Sequence, residues 1–213
     1  MEDDLLEKLA DKSMSREELA EKVKEDYGLL PKIIEGVSSP KASIRYSCAK
    51  ILNDLSEEKP EKLYPHMDFF IKLLDSEYRI LTWNAMAIIA NLTRVDIKKK
   101  YDSIFNKYYS FINDEYMVTV ANIVGNSGKI ARAKPYLADK IATELLKVEN
   151  ISTTPHITEE CKRVIAQHAI KSLNMFFDQV ENKDKVISFV KRQLNNTRKG
   201  VRTEAEKFLN KWY

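Results

Sequence analysis

Three histidines, two cysteines and one short glycine-containing stretch are the residues of this sequence best equipped for chemistry. Imidazole ligates metals and moves protons near neutral pH. His66, His156 and His168 stand far apart, however, without HExxH, a Cys/His cluster or any metal-ligand spacing. His168 adjoins Ala169 in an apolar segment and is expected in the core; His156 falls in a polar stretch and is expected to be exposed. Cys48 and Cys161 sit in helical patterns with no histidine beside them to activate a thiolate, so they read as small buried hydrophobes. Gly125 and Gly128, in GNSGK, lack the preceding strand and the full spacing of a phosphate loop. A helix C-cap followed by a turn is the expectation there. No catalytic carboxylate pair is evident. The chain is therefore expected to be non-enzymatic, with no metal and no cofactor.

The 213 residues hold only five glycines and six prolines, too few for the many turns of an all-β fold. Hydrophobic residues make up 44%, enough to bury a core, and charged residues 31%. The start, MEDDLLEKLADK, is too polar for a signal peptide, and the longest apolar run, Ala85–Ala90, is too short to cross a membrane. With two cysteines and no disulfide framework, a cytoplasmic protein is expected. Asn91, Asn150 and Asn195 each open an N-x-Ser/Thr triplet, taken as chance matches. The net charge of +3 is uneven: residues 1–60 carry −4 and the remainder +7.

Any residue placed to act must be held by the repeat that dominates the sequence. Ala49, Ala85, Ala121, Ala169 and Ala205 are spaced 36, 36, 48 and 36 residues apart. Ile33, Phe69, Phe105, Ile141 and Phe189 follow with steps of 36, 36, 36 and 48. The two long steps overlap only between Ile141 and Ala169, which marks residues 148–158, VENISTTPHIT, as an insertion loop. Between these markers apolar residues recur at i, i+3, i+4 and i+7, the period of half-buried helices. Each unit thus reads as a helix pair, with Pro31, Pro60, Pro65 and Pro135 early in first helices or just before them. Ser15 and Glu18 form a capping box ahead of a further helix. The expected organisation is one domain, 1–213: an N-terminal cap at 1–26 and five repeats at 27–213. Shortening the loop at 148–158 is expected to change stability little.

The small residue of each second helix lets helices approach closely, and an apolar residue four positions earlier shares its face: Leu81, Met117, Ile165 and Val201. This combination resembles the HEAT repeat, whose second helix typically reads apolar-Arg-x-x-Ala. Val201-Arg202 with Ala205 matches it outright. Ile44-Arg45 matches with Cys48 in the small position, one residue before Ala49. The other three units lack the arginine. The resemblance covers residues 27 to 213. It implies an all-α, right-handed α-solenoid of about five helix pairs, with first helices on the convex side and second helices on the concave side. It implies almost nothing about activity.

Helical phase then selects the outward face of the second helices, at about 100° per residue. Counting from Ala85 with the repeat steps gives one row of Ser47, Trp83, Thr119, Gln167 and Thr203, and another of Ser43, Arg79, Glu115, Arg163 and Lys199. Trp83, Arg79, Glu115, Arg163, Gln167, Lys199 and Thr203 are the candidate binding residues. Trp83 has two readings, an exposed anchor or a filler of the groove between neighbouring helices. Lys98-Lys99-Lys100 is expected to be a solvated turn, with Phe105 and Tyr108 behind it in the core and Tyr101 partly exposed. A monomeric macromolecular interaction scaffold, binding a protein partner and no membrane, is the expected function. Nucleic-acid binding through the basic last repeat is the alternative: nine Lys/Arg against three Asp/Glu follow from Lys183 on. A HEAT-like DNA glycosylase would need an aspartate that the two rows do not supply.

Overall fold

A computed structural model describes residues 3–213. They fold almost wholly into helices and short 3-10 turns, and the ordering is that of helix pairs. Two compact units result, one ending at Val95 and one running from Asp96 to Tyr213. Among the described residues no helix is long and apolar enough to cross a membrane.

The first unit opens with α1 (Asp3–Ala10) and α2 (Arg16–Glu25), both packed on α4 (Ala42–Glu58). The cap expected at residues 1–26 covers both helices; its Met1 and Glu2 lie outside the described residues. α2 starts where the sequence says it should. Glu18 N–H donates to Ser15 Oγ at 3.1 Å, and Ser15 N–H donates to Glu18 Oε2 at 2.7 Å, which satisfies donors that a helix start otherwise leaves unpaired. Leu19 and Val23, one turn apart, bury its inner face. The first helix of the first pair is α3 (Leu30–Gly36), with Pro31 at its start where a missing N–H costs nothing. The second pair has a broken first helix: α5 (Pro60–Leu63), a 3-10 turn around Pro65, then α6 (Met67–Leu73). Its second helix is α7 (Arg79–Leu92), which packs beside α4. At the far end of this pair of helices Asn91 Nδ2 donates to Ser56 Oγ at 2.9 Å, and Arg94 donates to the Ser56 and Glu57 carbonyls that end α4.

The second unit holds three pairs: α8 (Lys100–Ser110) with α9 (Met117–Ala133), α10 (Ala138–Leu146) with α11 (Glu159–Asn174), and α12 (Lys183–Gln193) with α13 (Lys199–Trp212). The second helices form a layer in which α11 packs against both α9 and α13. Ile123, Ile165, Ala169 and Ala205 are enclosed there. α13 closes against its neighbours through Phe208, whose ring meets Phe177 at 4.8 Å, and through Trp212 Nε1, which donates to Asn174 Oδ1 at 2.7 Å.

Several expectations need correction. The repeat step is longer than 36. Ser39, Ser76, Asp114 and Asn196 each accept, through the side chain, the N–H of the residue two ahead, at 3.2, 3.1, 2.8 and 3.0 Å. This shared turn introduces α4, α7, α9 and α13, and the first three of its residues are 37 and 38 apart. Five residues on come Ile44, Leu81, Thr119 and Val201, all buried; nine on come Cys48, Ala85, Ile123 and Ala205, also buried. Asn84 and Asn122 fix the same register, each donating to the carbonyl four residues back, at 2.7 and 2.9 Å. Ala121 is consequently half-exposed, and Cys48, not Ala49, is the counterpart of Ala85. In the first helices of the second and third pairs the repeat position is filled by the fully buried Phe70 and Tyr108, while Phe69 and Phe105 are only half-buried.

Gly125 and Gly128 lie inside α9, not at its end. A Cβ on Gly128 would stand 2.6 Å from Met175 Sδ and 3.0 Å from the Ser172 carbonyl oxygen, so α11 approaches only because the side chain is missing. Tyr101 is fully buried, edge-on to Tyr108 at 5.5 Å. Two residues earlier, Lys99 takes the left-handed conformation (φ 52°) in the turn, as a solvated charge run allows. The segment after α10 is docked. It makes a tight turn in which Thr154 and Ile157 exchange main-chain bonds of 3.0 and 3.2 Å. Ile157 is fully buried, Thr154 Oγ1 donates to the Glu115 carbonyl at 2.7 Å, and the exposed His156 ring stacks on Tyr116 at 4.1 Å.

Candidate binding surface

In the first unit, α7 carries two of the candidate residues. Arg79 is its exposed first residue, and Trp83 follows one turn later, half-buried. The corrected register places Tyr46 of α4, also half-buried, in the position of Trp83.

In the second unit, α11 contributes Arg163 and Gln167, and α13 contributes Lys199 and Thr203. These helices are neighbours, and two residues outside the predicted rows tie the candidates together. Glu160 accepts from Arg163 Nη1 at 3.1 Å and from Arg198 Nη1. Arg198 Nε donates to Gln167 Oε1 at 3.5 Å, and Gln167 lies against Gly200, where a Cβ would be 2.9 Å from Oε1. The two guanidinium bonds hold the Glu160 carboxyl below its ordinary range. The exposed patch is therefore a pair of arginines held around one carboxylate, with Lys199 exposed at the edge. Arg198 escaped helical-phase reasoning because it is the N-cap residue of α13, where the chain is extended and the helical count does not yet apply.

Glu115 does not belong to the row. It sits in the turn before α9, exposed, two residues ahead of the first helical position, and its carbonyl receives Thr154. The 36-residue step caused the misplacement. Thr119 also leaves the row: it is buried and takes the position of Leu81.

The repeat arginines have a structural task. Arg45 Nη1 donates to the Ser39 and Pro40 carbonyls at 2.8 and 3.3 Å; Arg202 Nη1 donates to the Asn196 and Thr197 carbonyls at 2.7 and 2.9 Å. Each reaches back five and six residues to bind the turn that precedes its helix. In α7 and α9 the same position is held by Thr82 and Val120, without such a clamp.

The cations of the last pair are largely engaged. Arg192 makes a bidentate pair with Glu149 at 2.9 and 2.6 Å, Lys207 meets Glu204 at 3.2 Å, and Lys191 Nζ lies 3.6 Å from the Tyr213 ring centroid. With Arg198 on Glu160 and Arg202 on turn carbonyls, phosphate contacts would have to displace internal partners.

Among the described residues no group of three or more His, Cys, Asp or Glu is placed to hold a metal. Burial pushes the Cys48 thiol up to about 12, so it has no thiolate character near neutral pH. Cys161 Sγ accepts from Thr158 Oγ1 at 3.2 Å beside the N-cap of α11.

No protein-family model and no curated protein matches the sequence. The fold does match solved structures. A designed armadillo repeat protein superposes with a TM-score of 0.63 over 96% of this chain and 89% of its own, at 18% identity. A second designed armadillo repeat protein, in complex with the peptide (KR)4, gives 0.63 over 98% and 91%, at 16% identity. At that identity the likeness shows the fold alone. The chain has an armadillo- and HEAT-like all-α repeat fold.

Proposed function

We propose that this protein is a non-enzymatic module that binds extended segments of a protein partner along the exposed faces of its second helices. The reading is carried by the residues those helices leave accessible. In the first unit Arg79 and the half-buried Trp83 stand one turn apart on α7, and in the second unit Arg163, Gln167, Lys199 and Thr203 lie on α11 and α13, which pack against each other. Tryptophan and arginine are enriched among residues that dominate binding energy, because they bury much surface and make directional bonds. The fold supports the reading, since repeat proteins present extended surfaces of this kind. One of the designed armadillo proteins that it resembles has a peptide bound.

A displayed library of random peptides, selected on the full chain, tests this. A selected peptide should bind with affinity lowered about 30-fold by Trp83→Ala or by Arg163→Ala, the latter leaving the melting temperature nearly unchanged. Selection of no peptide, or peptides indifferent to every substitution on these faces, would remove the proposal.

A further inference from the structure

The two turns that introduce α4 and α7 enclose a cleft of about 470 Å³ in the first unit. Ser39, Pro40, Arg45, Leu73, Ser76 and Tyr78 are among its lining residues. Arg45 is the unusual member. Only 6% of it is exposed, yet among the described residues no carboxylate comes within ion-pair distance. Its guanidinium carbon lies 3.9 Å from the Tyr78 ring centroid and 4.8 Å from that of Tyr46. Nη1 is bound to the two turn carbonyls, whereas Nε is buried without any hydrogen-bond acceptor. Buried charges are normally paired, because desolvating a lone ion is expensive. Aromatic rings and carbonyls cover part of that cost. They do not supply the side-on, two-oxygen partner that the Nε edge of a guanidinium accepts best.

The rest of the lining completes an anion site. The Ser39 and Ser76 hydroxyls accept main-chain N–H bonds from Lys41 and Tyr78, and each keeps its own hydrogen to donate. Pro40, Leu73 and Leu81 give the walls an apolar part. Glu77 also lines the cleft and is exposed; its charge opposes any anion there, and a doubly charged one more than a single carboxylate. We propose that this cleft binds a single carboxylate attached to an apolar group. Its oxygens pair with Arg45 and the serine hydroxyls, and its apolar group lies against Pro40 and Leu73. The source is the C-terminal carboxylate of a peptide or a free amphiphilic acid. Only the first source rests on the function proposed above.

Titration of the ¹⁵N-labelled full chain with N-acetyl-leucine and with N-acetyl-leucinamide, at matched ionic strength, tests the site directly. The acid should move the Arg45 Nε–H signal and the Lys41 and Tyr78 amides. The amide should bind at least about tenfold more weakly, since it lacks the charge that strengthens the bonds. Arg45→Lys assigns the signal and should abolish the response. Should that variant fail to fold, the acid–amide contrast on the native sequence still decides. A leucine-ended pentapeptide acid binding at least about tenfold tighter than N-acetyl-leucine, with the gain lost on amidation, identifies a peptide terminus; equal affinities identify a free acid. Equal responses to acid and amide, or no movement of Arg45 Nε–H up to about 20 mM acid, would overturn the proposal.

Discussion

Lys134 Nζ lies 2.9 Å from Asp96 Oδ2 with both side chains withdrawn from solvent, 4% and 0% exposed. Asp96 also accepts the N–H groups of Lys100 and Tyr101 at 2.8 and 3.0 Å, so it caps the start of α8. Lys134 reaches Asp102 Oδ1 at 3.1 Å and donates to the Tyr136 hydroxyl at 3.1 Å, which in turn donates to Asp102. The residue that ends α9 is thereby tied to the beginning of α8. Burial disfavours the ammonium, but its bonds to Tyr136, Asp96 and Asp102 more than offset this, and its pKa is raised.

Replacing Lys134 by Met removes the counterion and leaves a buried aspartate. Breaking a buried pair from one side typically costs about 3–5 kcal/mol. Guanidinium denaturation should show a loss of that order, with Lys134→Met/Asp96→Asn recovering part of it. A loss under about 1 kcal/mol would mean that the network contributes little.

The segment linking α10 and α11 is a docked strap. Ile157→Ala should cost about 2–4 kcal/mol, because its side chain is fully enclosed and a cavity remains. His156→Ala removes only an exposed ring stacked on Tyr116 and should cost less than about 1 kcal/mol. Equal, small effects from both would return the segment to the status of a passive loop.

The helix pairs, the loop and the capping box were all legible in the sequence, because apolar periodicity and cap chemistry are local. Register was not. Ala49 and Ala121 mimic the packing alanine, but the positions that pack are Cys48 and Ile123, so a step of 36 replaced the true 37 and 38. The signal lay in the turn: Ser39, Ser76, Asp114 and Asn196 share one side-chain-to-main-chain bond and fix the register without reference to size. The slip moved Glu115 and Thr119 wrongly onto the outward face while leaving Trp83, Arg163, Gln167, Lys199 and Thr203 in place. The Glu160–Arg163 pair is a local i,i+3 contact, but the bond from Arg198 to Glu160 crosses from α13 to α11 and has no local trace.

Gly128 was hidden by the opposite rule, that glycine ends helices. Gly128→Ala should gain about 1 kcal/mol of helix propensity, and lose more through the clash with Met175 and the Ser172 carbonyl. The Ser172 oxygen is main chain and cannot rotate away. A net loss of about 1–2 kcal/mol in thermal or chemical unfolding is expected. A more stable variant would show that α9 and α11 have room to separate.

His168 gives the protein a mild sensitivity to acid. It is half-buried on α11, and desolvation, with a smaller contribution from Lys171, holds its pKa below the ordinary histidine value of 6.5. As pH falls through 6.5, the unfolded chain takes up the proton before the folded chain does. Stability therefore falls over the interval between the unfolded and folded pKa values, and the loss is complete below the folded one. His168→Gln keeps a polar group of similar reach and removes the titration. Between about pH 7.5 and 5.5, where model carboxylates are still ionised, the melting temperature of the native sequence should fall more than that of the variant. Parallel curves would show that the imidazole charges as easily in the folded protein as in the unfolded chain, and that burial on α11 does not penalise it.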